Sequence, residues 1–310
     1  MPDSESSLTR RAFLRLSAAG GLSLLAPGTG AWAGAEAQVM LTRPIPRTGE
    51  RLPAVGLGTW QTFDVEGDRE REPLLEVLRR LFAAGGRVID SSPMYGRAES
   101  AVGDLVARLS PSPAPFLATK VWTQGREAGE AQMRESFRRM RTARMDLMQV
   151  HNLVDWRTHL ATLRRWKEEG KIRYLGITHY APSAFEEMER ILRQERVDFV
   201  QLPYSAGVRE AESRLLPAAA ETGTAVLVMR PFEEGALLRR VRGRPLPPWA
   251  SEIDCGSWPQ LFLKFILSHP AVTCAIPATS NPDHLADDAR AGLGRLPGDD
   301  LRRRIAEAAG

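Results

Sequence analysis

Residues 145–178 read MDLMQVHNLVDWRTHLATLRRWKEEGKIRYLGIT, and this stretch decides the fold. Residues 145–151 form a mostly apolar run of strand length. From 158 to 169 apolar residues recur three and four apart, as on one face of a helix. Gly170 closes that stretch in the way glycine closes helices. Residues 174–178 then return to strand composition. The order is strand, helix, strand, the repeating unit of a parallel sheet.

The same unit repeats on either side. Strand-like runs lie at 55–60, 87–91, 116–121, 199–203, 226–230 and 272–277. Helical spacing fills 73–84, 98–109, 129–142, 183–193, 212–222 and 258–269, with Gly85-Gly86 and Gly223 as further helix ends. Eight strand-helix units in about 250 residues predict an α/β fold of the closed parallel kind, a (β/α)8 TIM barrel. A doubly wound open sheet would announce its nucleotide site with G-x-G-x-x-G after the first strand. Here the first strand ends Gly56-Leu57-Gly58-Thr59-Trp60, with no third glycine. The barrel domain is assigned to residues 35–310.

Residues 1–34 read as an address. Thr9-Arg10-Arg11-Ala12-Phe13-Leu14-Arg15 is close to a twin-arginine export signal. A weakly apolar stretch follows, then Ala31-Trp32-Ala33, of the kind a signal peptidase accepts. The expectation is a protein handed to the twin-arginine export machinery and delivered to the periplasm. The apolar stretch is too short and too rich in Gly and Ala to remain as a membrane span.

Apolar residues make up 43% of the 310, enough for a full core. The formal charge is +4, but acids and bases alternate, so no basic stripe marks a nucleic-acid surface. Of 42 basic residues only Lys120, Lys167, Lys171 and Lys264 are lysine. Cys255 and Cys274 have no metal spacing. Cys274 sits in an apolar run and reads as a core residue, and a disulfide between the two is open after export.

In a barrel of this kind catalytic groups stand at the C-terminal ends of the strands. Those ends carry Trp60, Asp90, Lys120, His151, Thr178-His179, Gln201, Arg230 and Thr279. A chain that writes arginine almost everywhere has kept lysine at 120, which suits a compact ammonium better than a guanidinium. Tyr95 lies five residues after Asp90 in a loop tightened by Pro93 and Gly96. Its phenol, with an ordinary pKa of about 10, needs a neighbouring cation to donate readily. Lys120 is expected to lower that value, with Asp90 holding Lys120 charged. His151 reads either as a hydrogen-bond donor to a substrate carbonyl or as a buried structural histidine. His-x-His pairs and converging carboxylates for a metal-dependent hydrolase are missing, and no metal is expected.

At these residues the chain resembles the aldo-keto reductase superfamily, over residues 41–295. The opening 52–60, the Asp-x4-Tyr segment, the Thr-Lys pair and the strand ending in His match that family's pattern. The resemblance implies a catalytic set of Tyr95, Asp90, Lys120 and His151, and reduction of aldehydes or ketones with NADP(H) or NAD(H). It places Thr59 and Trp60 beside the cofactor. It puts Thr178 and His179 where the family has Ser and Asn for the carboxamide, with Gln201 as third partner. Met229 takes the position of the aromatic that stacks on nicotinamide, followed by Arg230, Pro231 and Phe232. Thr279, Ser280 and Asn281 fall in the phosphate segment, where Pro282 can open a helix capped by Ser280 or Asn281. Asp287 and Asp288 fall where the family meets adenine. The basic residues that favour the 2′-phosphate are replaced by Ala278 and His284, and Arg230 is a candidate substitute. Trp60 and Trp122 are expected to wall a pocket for a flat or apolar carbonyl compound. The alternative function is a non-enzymatic nucleotide-binding sensor or accessory subunit on the same barrel.

Overall fold

The computed structural model describes residues 39–310, so the export signal expected at 1–34 lies outside the described residues. The described residues open with an antiparallel hairpin of β1 (Thr42–Pro44) and β2 (Arg51–Pro53). Eight parallel strands follow: β3 (Leu57–Gly58), β4 (Val88–Asp90), β5 (Phe116–Val121), β6 (Met145–His151), β7 (Ile172–Thr178), β8 (Phe199–Pro203), β9 (Ala225–Met229) and β10 (Val272–Ala275). They pair in sequence order. Parallel bridges from Val55 to Ala275 and from Gly58 to Ala278 close the ring. The helices between strands are α1 (Asp68–Ala83), α2 (Ala98–Leu109), α3 (Arg126–Arg139), α4 (Trp156–Glu168), α5 (Phe185–Glu195), α6 (Leu215–Thr222), α7 (Ala236–Arg240) and α8 (Trp258–Leu267). Helices α9 (Pro282–Arg290) and α10 (Asp299–Ala309) finish the chain. The expected (β/α)8 barrel is present.

Side chains alternate along a strand, so every second residue faces the barrel interior. Val88, Phe116, Ala118, Leu147, Tyr174, Phe199, Ala225 and Leu227 share one interior cluster. The outward residues between them pack against helices in a second, larger cluster. Continuing each inward row to its C-terminal end gives Asp90 after Val88, Lys120 after Ala118, Gln149 and His151 after Leu147, and Thr178 after Tyr174 and Gly176. The rows on β8 and β9 end in Gln201 and Met229. The polar residues are therefore the last layer of the same inward rows. Gly176 makes room within this stack: a Cβ there would come within 2.8 Å of the Phe199 carbonyl oxygen.

The hairpin seals the other end of the barrel, with Ile45 and Leu52 fully buried in the interior cluster. Three-residue strands without alternation leave little signal, and the sequence reading passed over them. The first barrel strand is shorter than the expected 55–60. Gly56 is pressed between two neighbours, and a Cβ there would stand 2.8 Å from Val88 and 3.2 Å from Cys274 Sγ. The last ladder bond on this side runs from the Thr59 N–H to the Asp90 carbonyl at 3.1 Å, and the chain then turns, with the Phe63 N–H donating to the Thr59 carbonyl at 3.1 Å. Helix α1 begins at Asp68, ahead of the expected start at 73, and carries Pro73 inside it. Its start is held by Glu70, whose carboxylate accepts from the N–H groups of Glu66 and Gly67 at 3.1 and 3.4 Å. Both cysteines are free thiols, Cys274 in the interior cluster and Cys255 in the outer one.

Candidate active site

The floor of the site is a buried ion pair. Lys120 Nζ donates to Asp90 Oδ2 at 2.6 Å and to the Ser91 carbonyl at 2.7 Å. Gln149 Nε2 donates to the other carboxylate oxygen at 3.0 Å. Asp90, Lys120 and Gln149 are all buried. Removing either charge from such a pair would strand the other, which is the expensive case in a low-dielectric interior. Burial presses Lys120 toward its neutral form, but Asp90 and Tyr95 outweigh it, and the net shift of its pKa is upward. The ammonium stays charged.

Tyr95 stands above this floor on the loop after β4. Its own N–H closes a turn on the Ser92 carbonyl at 3.0 Å, and its carbonyl accepts from Ala98 at the start of α2. Gly96 follows with φ +59, and a Cβ there would run into the Asp64 carboxylate at 2.4 Å. The loop therefore has little freedom, and the ring is held with Lys120 Nζ 4.9 Å from its centroid. Lys120 does press the phenol pKa down, as expected, but the net shift is upward. Burial raises it, Asp90 adds to that, and the charge of Lys120 only partly offsets them. The phenol is a protonated group beside a fixed cation.

His151 meets Tyr95 edge-on, with ring centroids 5.8 Å apart. Its Nδ1 lies 3.0 Å from Ser92 Oγ. Burial, the charge of Lys120 and nearby His179 push its pKa down to about 2, so the ring is neutral at any ordinary pH.

These residues open on a cavity of about 630 Å³. Of the residues singled out from sequence, it is lined by Thr59, Trp60, Asp90, Tyr95, His151, Gln201, Met229, Arg230, Pro231 and Phe232. Lys120 lies beneath the lining. Thr178 is buried behind Gln201 and donates to its Oε1 at 3.3 Å. His179 accepts the Ala181 N–H at 3.1 Å and stacks on Tyr180, outside the lining. Trp122 stands at the rim, 6.4 Å from the His151 ring. Asn281 caps α9 through a bond from Asp283 N–H, and Thr279 and Ser280 precede it. Asp287 turns to α8, accepting from Ser257 Oγ and Gln260 Nε2, both at 2.6 Å. Asp288 is buried, and burial followed by the charge of Asp287 holds its carboxyl far above the usual range. Neither aspartate reaches the cavity. Arg230 already has a counter-charge, Glu234 at 2.9 Å.

Met94, Asn152, Tyr180 and Glu234 also line the cavity and were not singled out. Asn152 follows His151 directly and Met94 precedes Tyr95, so adjacency to a strand end or loop tip was the available signal. The backbone adds another: Asn152, Arg230 and Glu234 have φ of +51, +54 and +55. Positive φ in non-glycine residues is uncommon and often marks sites.

The residues present fit a nicotinamide. Gln201 is buried and lines the cavity, yet its Nε2 has no hydrogen-bond partner. With its oxygen engaged by Thr178, that amide offers a donor that a carboxamide oxygen would satisfy. The first-turn N–H groups of α9 suit a phosphate.

A model of the Aldo/keto reductase family matches residues 54–306. Methylglyoxal reductase YeaE of Escherichia coli is 28% identical over 247 residues, covering 77% of this chain and 84% of the relative. The holo form of aldo-keto reductase AKR11C1 from Bacillus halodurans superposes with a TM-score of 0.69 at 22% identity, over 87% of this chain and 97% of that one. An aldo-keto reductase from Klebsiella pneumoniae in complex with NADPH superposes with a TM-score of 0.70 at 24% identity, over 87% and 96%.

Proposed function

Because this chain belongs to the aldo/keto reductase family of oxidoreductases, we propose that it reduces an aldehyde or ketone to the alcohol, with Tyr95 as the proton donor. The observation that carries this reading is one wall of the cavity. There a protonated phenol and a neutral imidazole stand side by side over a buried, charged lysine. When bound, a reduced nicotinamide supplies the hydride. Gln201 would hold its carboxamide, Met229 its ring face, and the start of α9 with Thr279, Ser280 and Asn281 its phosphates.

The chain's own residues do the rest. Tyr95 Oη and His151 donate hydrogen bonds to the carbonyl oxygen and orient it. As negative charge develops there, the phenol proton moves to oxygen and leaves a phenolate. A unit charge about 5 Å away is worth roughly 3 kcal/mol at an effective dielectric constant of about 20, before the opposing term from Asp90. Lys120 is placed to supply that stabilisation only once the proton has left, so it acts on the transition state more than on the bound substrate.

The rim supports a flat or apolar substrate. Trp60, Met94, Trp122 and Tyr180 are each between 38% and 52% exposed, and apart from Val39 they are the large exposed apolar side chains among the described residues. NADP(H) is the favoured coenzyme, on the strength of the NADPH held by the Klebsiella pneumoniae neighbour, and NAD(H) is the second candidate, because Glu234 already neutralises Arg230.

The test uses the chain without residues 1–34. NADPH and NADH are titrated separately against tryptophan fluorescence, and turnover of an aromatic aldehyde is compared with Tyr95→Phe. The variant should bind nucleotide normally and lose about 10²- to 10⁴-fold in turnover. Nucleotide binding with no turnover across several aldehydes would favour the sensor or accessory-subunit reading.

Export through the twin-arginine machinery to the periplasm belongs to the same proposal and rests on Arg10-Arg11 and Ala31-Trp32-Ala33. Changing both arginines to lysine should leave the protein in the cytoplasm. Unchanged periplasmic recovery of that variant would sink the export reading.

A further inference from the structure

Ser92 is fully buried two residues past the end of β4, and its hydroxyl lies 3.0 Å from Nδ1 of His151. A neutral imidazole carries one proton, on one nitrogen or the other, and the partner of one nitrogen settles the state of both. His151 is neutral because of where it lies: its ring is buried, with the charge of Lys120 and nearby His179 against it, and Tyr95 packs on it at 5.8 Å between centroids. Its tautomer is therefore decided locally.

The partners of Ser92 Oγ decide it. The Met94 N–H approaches that oxygen at 3.4 Å and occupies a lone pair. The hydroxyl has a single hydrogen to give, and His151 Nδ1 is the acceptor within reach among the described residues. The opposite arrangement, with Nδ1–H donating to Ser92, would leave that buried hydroxyl hydrogen without an acceptor. It would also turn a bare Nε2 lone pair toward the oxygen of an incoming carbonyl, which is electron-rich.

We propose that Ser92 is a positioning residue: its hydroxyl donates to Nδ1 of His151, fixes the Nε2–H tautomer and the plane of the ring, and so makes His151 a hydrogen-bond donor toward the cavity. Tyr95 and His151 then approach one acceptor from two sides. Ser92 reaches neither substrate nor cofactor in this arrangement and acts only through the ring. The same loop carries both groups, since Ser92 also closes the turn that places Tyr95. The consequence for turnover rests on the reductase reading above, whereas the tautomer itself does not.

The experiment is a long-range 1H–15N correlation spectrum of the protein labelled at its five histidines. The His151 signals are identified by their loss in His151→Gln. In the wild type, Nδ1 should appear bare but hydrogen-bonded and Nε2 protonated. In Ser92→Ala, Nδ1 should move to the position of a free lone pair and a second tautomer should appear. Ser92→Thr, which keeps the hydroxyl, should retain the wild-type pattern. An Nδ1-protonated His151 in the wild type, or an unchanged pattern in Ser92→Ala, would overturn the proposal. In turnover, Ser92→Ala should lose about 5- to 10-fold in kcat/KM with nucleotide affinity unchanged, and Ser92→Thr should recover most of it. A wild type that shows the expected tautomer but reduces no carbonyl would leave the Ser92 assignment standing and remove the reductase reading.

Discussion

Lys120 and Lys264 are both fully buried, and the protein accommodates them in different ways. Lys120, at the end of β5, faces a carboxylate, Asp90 at 2.6 Å. Lys264, on α8, faces three backbone carbonyls: Ile253 at 2.7 Å, Leu293 at 2.6 Å and Arg295 at 2.8 Å. Burial presses both toward the neutral amine. At Lys120 the nearby Asp90 and Tyr95 reverse that pressure, and the pKa rises. At Lys264 burial prevails over Cys255 and Asp254, and the pKa falls. A buried lysine is thus no sign of chemistry in itself. What separates the two is the charge left over for neighbours. The ammonium of Lys264 is used up in fastening α8 to two loops, a task for three tetrahedral donors that a planar guanidinium fills poorly. The charge of Lys120 still reaches a phenol in the cavity.

The largest test of this contrast is Lys120→Met. It leaves Asp90 buried without its cation and should lower stability by about 3–5 kcal/mol in urea unfolding. Turnover should fall by roughly 10²-fold or more. Adding Asp90→Asn should restore much of the stability and none of the turnover. Lys264→Met comes next. Three carbonyls lose their donor, so stability should drop by about 2–4 kcal/mol, while turnover of the folded fraction stays within about 2-fold of the wild type. A folded Lys264→Met protein with no turnover would break the contrast.

The smallest effect concerns pH. The folded pKa of His151, about 2, lies well below the ordinary 6.5 that it regains on unfolding. Below pH 6.5 the unfolded chain takes up a proton that the folded chain refuses, so stability is lost as the pH falls through that window. The loss from this one group is at most about 1.4 kcal/mol per pH unit. His151→Gln should therefore lose about 1 kcal/mol less than the wild type between pH 6.5 and 5.5. That difference should persist in both Lys264→Met and Lys120→Met, since burial, the largest cause, keeps the folded pKa below this window even without the charge of Lys120.

The barrel was legible because its strands are buried on both faces. Residues 116–121, 145–151 and 199–203 are apolar enough to show their limits unaided, and all three are strands with those bounds. The ends of the inward rows were legible for the same reason, since Asp90, Lys120 and His151 interrupt apolar runs. What stayed hidden depends on loops and on partners distant in sequence. Ser92 gains its meaning from a ring 59 residues away. Asn152 and Glu234 enter the cavity through left-handed backbone that no composition rule marks. The sign of the Tyr95 shift was misjudged because a cation can be read from a sequence, whereas the depth of burial that opposes it cannot.

Both native thiols are poor nucleophiles, and this makes the protein a convenient host for a reporter dye. Burial pushes Cys255 up to about 11 and Cys274 higher still. The reactive species is the thiolate, and at pH 7 about one Cys255 in ten thousand would carry it. A cysteine introduced at exposed Arg144, just before β6 and at the opposite end of that strand from His151, would outcompete both for a maleimide. The unmodified wild-type background could then be labelled at one chosen point, on the closed end of the barrel, with the cavity left untouched.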